Sequence, residues 1–185
     1  MMEEFIKNTK FSFYKKAFDK APYKNITLLD AYNYIRGDYA KEQTMQLRAI
    51  TDKEQARKFK AEQFALATFS GTFSQRRADK LLQHSGLMCL DFDHIADVEG
   101  LKQRLIKDPI FETWLAFRSP SGDGLKWVTD VVLGNHTHAE YYRAVQQYLR
   151  TEYGVETDRA TSSVVSGCFL PFDENIYIND KLTKL

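Results

Sequence analysis

The feature that most constrains the fold is a short apolar segment that ends in two acidic residues. The run Leu87-Met88-Cys89-Leu90-Asp91-Phe92-Asp93 follows Gly86 and carries no charge before Asp91. An apolar run of this length, bounded by a turn residue, predicts a β-strand over residues 87–93. A strand needs partners, so the chain has to build a sheet around this segment.

Helix and strand patterns alternate around that strand, and Pro/Gly/Ser-rich linkers are lacking. We therefore expect one domain of the α+β class with a mixed sheet, βαβ-like crossings and a helical N-terminal portion at about residues 25–60, ahead of a core at about 64–180. The predicted strands are 10–18, 64–70, 113–118, 125–133, 167–172 and 176–178. The predicted helices lie between capping signals at 27–37, 40–50, 51–60, 97–107 and 137–153.

Composition excludes several classes of protein. The chain has 185 residues, 43% hydrophobic and 28% charged, which is typical of a globular protein. No apolar run is long enough to span a membrane, and residues 1–10 lack the apolar region of a signal peptide, so we expect no membrane partner. Two cysteines are too few for a disulfide framework, which predicts a cytoplasmic location. The net charge of +1 requires any nucleic-acid binding to use a local patch.

Asp91 and Asp93 are the first candidate site residues. Alternate side chains of a strand point to the same face, so these two carboxylates lie about 6–7 Å apart on one side of the sheet. The negative charges of the two carboxylates repel each other unless a cation lies between them. Hard oxygen ligands favour Mg²⁺ or Mn²⁺, ions that often bridge to substrate phosphates. The alternative is a strand that simply runs out into a polar turn.

Two later segments add candidates to the same site. Small residues and glycines between two predicted strands allow backbone N–H groups to approach a phosphate, and a lysine follows; the candidates are Ser119, Ser121, Gly122, Gly124 and Lys126. An ordinary hairpin loop is the alternative. Asp158 lies in a polar stretch after the last long helix, where it either completes a two-metal site or forms a turn.

A basic cluster lies elsewhere in the chain, next to aromatic residues. The basic residues are Arg76, Arg77 and Lys80, which follow Phe69 and Phe73. They are candidates for binding the phosphates of a template strand. The alternative is charge that is solvated at the start of a helix.

Four strings, in this order, resemble the VirE N-terminal-like (BT4734-like) domain family over about residues 10–180. They are Thr68-Phe69-Ser70-Gly71-Thr72-Phe73, the segment His84 to Asp93, the segment Ser119 to Lys126, and Cys168 to Asp173 with Asn179 after it. That family occurs in bacterial mobile-element proteins, often ahead of a helicase or VirE-type region. It is similar in turn to the primase-polymerase (archaeo-eukaryotic primase) superfamily.

This resemblance implies an RRM-like mixed sheet and a nucleotidyl-transfer site. Asp91, Asp93 and Asp158 would be its catalytic, metal-binding carboxylates. Its Ser-x-His signature for nucleotide phosphates is best matched by Ser121 to Lys126, with Lys126 where histidine is expected. Relatives also often carry an arginine before the final apolar strand, and residues 162–167 contain none. The resemblance implies as partners a nucleoside triphosphate, single-stranded nucleic acid (DNA before RNA), and a helicase domain or partner.

Three functions follow as hypotheses. The first is a divalent-metal-dependent nucleotidyltransferase of the primase-polymerase type, acting in DNA replication of a mobile element. The second is a non-catalytic nucleic-acid-binding or protein-interaction module with an eroded site. Lys126 in place of histidine and the lack of an arginine in residues 162–167 favour this second hypothesis. The third is a phosphohydrolase of the haloacid-dehalogenase kind with Asp91 as nucleophile. That class expects Thr or Val where this chain has Ile95.

Overall fold

The computed structural model describes residues 2–184, and within them the fold is α+β. The helices are α1 (Met2–Asn8), α2 (Leu28–Arg36), α3 (Lys41–Ala49), α4 (Lys53–Gln63), α5 (Val98–Ile106) and α6 (His138–Tyr153). The strands are β1 (Phe11–Tyr14), β2 (Lys24–Ile26), β3 (Leu66–Thr68), β4 (Gly71–Phe73), β5 (Leu81–His84), β6 (Leu87–Phe92), β7 (Thr113–Arg118), β8 (Leu125–Asp130), β9 (Cys168–Phe169) and β10 (Tyr177–Ile178).

The strands form three antiparallel sheets, with the orders β2-β1-β3-β9, β10-β7-β8-β6 and β4-β5. Every strand pairing in residues 2–184 is antiparallel, so the predicted mixed sheet is wrong. The reason is the short loop between β7 and β8, which folds β8 back between β6 and β7. Helix α5 therefore connects two strands that run in the same direction but never pair, because β8 separates them.

The sheet that contains β6 is covered on both faces. Met88, Leu90 and Phe92 pack in one cluster with apolar residues of α5 and α6, including Leu105 and Leu149. The alternate residues point the other way: Leu87 and Cys89 pack in a second cluster with residues of α2, β1 and β3. Burial on both faces explains why β6 reads as a continuous apolar run. It also places Asp91 on the face that looks toward the β1-β3-β9 sheet.

Capping residues fix the helices that flank this core. Thr137 and Glu140 form a capping box at the start of α6, and Gly154 ends it in the left-handed conformation at φ 66°. Thr27 and Asp30 form the predicted capping box of α2. At α4 the prediction was one residue off, since Asp52 rather than Thr51 caps the helix by accepting the Gln55 N–H.

Several predicted strands differ from those found. The predicted strand 64–70 is the shorter β3, and the hairpin of β4 and β5 that follows was missed, as were α1 and β2. Segments 167–172 and 176–178 were expected to finish one sheet. They contribute only β9 and β10, which belong to different sheets. Strands of two or three residues carry too little periodicity to be recognised in a sequence.

The longest helix, α6, has 16 residues and is amphipathic. Within residues 2–184, no helix combines the length and the apolar character that crossing a bilayer requires.

Candidate metal centre

Three carboxylates meet at the end of β6. Asp91 belongs to β6, Asp93 follows it directly, and Asp158 comes from the loop after α6. Each offers one oxygen such that the three oxygens lie within 4.8 Å of one another. Asp91 is half-buried, whereas Asp93 and Asp158 are exposed. The structure thus brings together the three acidic residues that the sequence nominated, although they are up to 67 positions apart in the chain.

Hydrogen bonds hold Asp158 beside the strand. Its backbone N–H donates to the Asp91 carbonyl at 2.9 Å. Its own carbonyl accepts from the Tyr142 hydroxyl of α6 at 2.9 Å. One carboxylate oxygen accepts from the Ala160 N–H at 2.9 Å and so caps a short 3-10 helix, Arg159–Thr161. Asp158 can therefore both form a turn and take part in the site, the two roles that the sequence left as alternatives.

Lys126 is the direct neighbour of Asp91. It lies opposite Asp91 in the β6–β8 pairing, and its Nζ forms an ion pair with Asp91 Oδ2. Lys126 is only 7% exposed. Burial lowers the pKa of its ammonium group. Register across the sheet, rather than a loop conformation, thus places this lysine in the site.

The second oxygen of Asp91 has no partner. Asp91 Oδ1 is buried and makes no hydrogen bond in the described structure. A buried carboxylate oxygen without a partner is costly, by about 1–3 kcal/mol or more for a charged group. A cation that shares the oxygens of Asp91, Asp93 and Asp158 would remove that cost. The residues therefore fit Mg²⁺ or Mn²⁺, both of which prefer oxygen ligands.

Asp91 also lines a small cavity with a volume of about 20 Å³. That volume suits one water molecule or ion. It is lined by Cys89, Asp91, Lys126, Thr161, Ser166, Gly167 and Cys168.

Two thiols form part of the cavity wall. Cys89 lies on the Asp91 face of β6, as strand parity predicts, and Cys168 of β9 lines the same cavity. The neighbouring Cys168 and burial raise the pKa of the Cys89 thiol. The Cys168 thiol donates to the Phe169 carbonyl at 3.6 Å. Sequence reasoning missed Cys168, because β9 reaches the site from the other sheet.

The glycine-containing loop adjoins the end of β6. A Cβ at Gly124 would collide with the Phe92 carbonyl, so glycine is required there for the close approach. The amide groups of Gly122 and Gly124 are engaged inside the loop, donating to the carbonyl and the hydroxyl of Ser119, respectively. Ser121 contacts the Ser119 hydroxyl at 3.3 Å. A role of this loop in binding phosphate stays a prediction.

The three residues of the predicted basic cluster do not point to one place. Arg77 forms an exposed ion pair with Asp79, and Lys80 is exposed. Arg76 instead reaches toward the site: its Nη1 lies 3.5 Å from the position that a Cβ of Gly167 would occupy. Gly167 lines the small cavity beside Asp91. Arg76 thus brings a positive charge close to residues 162–167, the segment in which the resemblance implies an arginine and this chain has none.

A second group of arginines was not recognised from the sequence. Arg143 and Arg150 of α6 and Arg159, which directly follows Asp158, line a groove of about 350 Å³. Arg150 is bound by Glu156 at 2.6 Å. These residues are spread over two segments, so no run of basic residues marks them in the sequence.

The histidines do not contribute to the metal site. His94 has φ 54° and contacts Asp123 at 2.6 Å. His138 is buried, and its ring lies against Ser70 and His84.

Comparison with known proteins identifies the family. The family described as BT4734-like, N-terminal domain, matches residues 58–178, about two thirds of the chain. The matched range contains Asp91, Asp93, Lys126 and Asp158. Searches of curated proteins and of solved structures gave no match. The chain belongs to the BT4734-like N-terminal domain family.

Proposed function

We propose that this protein is a divalent-metal-dependent nucleotidyltransferase of the primase-polymerase type. The observation that carries the proposal is the convergence of Asp91, Asp93 and Asp158, with oxygens within 4.8 Å of one another and the Asp91 Oδ1 atom left without a partner. Paired carboxylates next to cationic side chains are what metal-assisted phosphoryl and nucleotidyl transfer require.

Each residue has a role in this proposal. Asp91, through Oδ1, would hold Mg²⁺ or Mn²⁺ together with Asp93 and Asp158. When bound, such an ion lowers the pKa of an attacking hydroxyl and neutralises charge on the phosphates. Lys126 keeps the Asp91 side chain in place by pairing with its other oxygen.

Cationic side chains around the carboxylates would bind the substrates. Arg76 near Gly167, and Arg159 with Arg143 in the groove next to Asp158, would attract a triphosphate or a template strand.

The topology also supports the primase-polymerase resemblance. Along the chain the elements follow the order β6-α5-β7-β8-α6, and in the sheet β8 lies between β6 and β7. Two strands joined by a helix and separated by a third strand form the split βαβ unit of ferredoxin-like and RRM-like folds. The acidic pair lies at the end of the first strand of this unit. The last strand, β10, departs from that fold, because it pairs with β7, whereas the last strand of an RRM-like sheet lies next to the first.

The test is calorimetric titration of a deoxynucleoside triphosphate in the presence of Mn²⁺. We expect binding by the wild type, its loss with a chelator, and at least about tenfold weaker binding by Asp158→Asn, because one metal-binding charge is removed. Asparagine is as good a helix cap as aspartate, so this substitution leaves the 3-10 helix capped. Asp180→Asn, at an exposed aspartate in another short helix, is the matched control. Equal binding by wild type and Asp158→Asn would contradict the proposal.

A second function is favoured by one observation, the ion pair between Lys126 and Asp91. The lysine ammonium group already supplies a positive charge where a metal ion is expected. If that charge replaces the metal, the domain is a non-catalytic nucleic-acid-binding module with an eroded site. Such a module would bind oligonucleotides equally well with Mn²⁺, with a chelator and after Asp158→Asn, and it would not bind Mn²⁺.

A further inference from the structure

An open cavity lies in the N-terminal portion, outside the range 58–178 that defines the family. Residues of β1, β2, α2 and the 3-10 helix Asp38–Ala40 enclose about 360 Å³. Half of its lining residues are aromatic, and the residues that matter here are Phe13, Tyr23, Lys24, Asn33, Tyr34 and Tyr39. The volume is in the range of ligand-binding pockets.

Two tyrosines of this cavity are largely exposed. Tyr39 is 71% exposed and Tyr23 is 60% exposed. Tyr34 and Tyr39 are stacked, with ring centroids 5.3 Å apart and planes 6° apart. Gly37 allows this arrangement, since a Cβ there would lie 3.2 Å from the Tyr39 ring and 2.8 Å from the Asn33 carbonyl. Single exposed aromatic residues are ordinary, but a stacked pair at the mouth of an aromatic cavity indicates a binding surface.

Lysines surround these rings. Lys15 Nζ lies 3.7 Å from the centre of the Tyr23 ring, and Lys24 Nζ lies 5.9 Å from that of Phe13. The acidic residue in the cavity wall is Asp30, whose carboxylate is engaged by Thr27 in the cap of α2. Asp30 is thus held at the helix cap, and Lys15 and Lys24 supply positive charge for a ligand.

A further cavity adjoins Arg76. Lys20 lies in the loop between β1 and β2, and its carbonyl accepts the Arg76 N–H at 2.7 Å. Lys20, the exposed Phe18, Asp19 and Arg76 line this cavity of about 350 Å³. Arg76 also approaches Gly167, which lines the small cavity beside Asp91.

We propose that the cavity of Tyr23, Tyr34 and Tyr39 binds an unstacked base of single-stranded nucleic acid, with Lys15 and Lys24 at the adjacent phosphates. Planar aromatic faces combined with cations along a groove are the features that bind single strands without reading their sequence. A duplex is disfavoured, because its bases are stacked on one another and do not offer their faces. The inference rests on the proposed function for the identity of the strand as a template, but the site itself is separate from the carboxylates.

The test is fluorescence anisotropy with a labelled oligothymidylate in the presence of a chelator, so that the metal site does not contribute. Loss of one base stack predicts at least about a fivefold higher Kd for Tyr39→Ala. Tyr39→Phe keeps the ring and should bind like the wild type. Leu82→Ala is the matched control, since Leu82 is 67% exposed and lies on β5, away from the cavity. An unchanged thermal melting temperature shows that Tyr39→Ala remains folded.

The outcomes separate this inference from the proposed function. If Tyr39→Ala binds the oligonucleotide as tightly as the wild type, or if the wild type binds a duplex more tightly than the single strand, the base-binding site is refuted. The same holds if the wild type binds no oligonucleotide, in which case the surface serves another partner. If Tyr39-dependent binding is found while nucleotide binding with Mn²⁺ is absent, only the proposed activity fails.

Discussion

Acidification should destabilise the protein through the buried His138, which is hydrogen-bonded to the half-buried His84. His84 Nδ1 accepts the Gly86 N–H at 3.0 Å, which assigns the ring proton of neutral His84 to Nε2. That Nε2 lies 3.1 Å from His138 Nδ1, and His138 Nε2 lies 3.3 Å from the Ser70 hydroxyl. The neutral rings thus satisfy one another. Protonated His138 would have to place a proton on Nδ1, which already faces a donor.

The free energy involved follows from the pKa of His138. Burial lowers this pKa to about 4, and the nearby His84 ring contributes in the same direction. The unfolded chain takes up the proton near pH 6.5, whereas the folded protein does so only near pH 4, so stability falls as the pH falls through this window. Between about pH 7.5 and about pH 5 the loss for His138 is roughly 2 kcal/mol. For a protein of this size, that lowers the melting temperature by about 4–8 °C.

The measurement is thermal unfolding at these two pH values for the wild type, His138→Gln and His136→Gln. Glutamine cannot titrate, so His138→Gln should lose much less stability on acidification than the wild type. His136 is exposed and two residues away, and its variant should behave like the wild type. If His138→Gln and the wild type show the same decrease in melting temperature, the histidine pair is not the cause.

The other predictions concern α6, which supports Asp158 through Tyr142. Thr137→Ala should reduce the free energy of unfolding by about 1 kcal/mol, because the capping box is lost, whereas Thr137→Ser should not; equal urea midpoints for the two variants would contradict this. Gly154→Ala should cost about 1–2 kcal/mol, because φ is 66° there although no atom lies within 4 Å of a new Cβ. Leu149→Ala should cost about 2–5 kcal/mol in urea unfolding, and a smaller loss would show that the surrounding core collapses into the space.

Local sequence signals predicted the elements that carry the site. The apolar run of β6 and its parity correctly placed Asp91 and Asp93 together, and the capping signals of α6 identified both its ends. Those features depend on neighbouring residues, so a single sequence contains them. Asp158 was a candidate from its polar stretch and from the family resemblance, but the sequence left open whether it only forms a turn, and its position depends on a backbone hydrogen bond to Asp91.

The features that sequence reasoning missed depend on pairing between distant strands. The partner of Lys126 follows from the β6–β8 register, and Cys168 meets Cys89 because β9 joins the sheet of β3. The short loop makes β8 antiparallel to β7, but its position between β6 and β7 depends on its pairing with β6 as well. Residues far apart in sequence, such as Arg143 and Arg159, form a groove only when α6 and the following loop are both in place.

The most direct measurement of the central claim is an Mn²⁺ titration without nucleotide, followed by electron paramagnetic resonance. The wild type should remove free Mn²⁺ from the signal, and Asp93→Asn should bind it much more weakly. Asp93 is exposed, so this substitution leaves the buried pair of Asp91 and Lys126 intact. Binding that is lost in Asp93→Asn is the result expected for a metal centre. A wild type that binds no Mn²⁺, or an Asp93→Asn variant that binds it equally well, would show that the three carboxylates do not hold a metal ion.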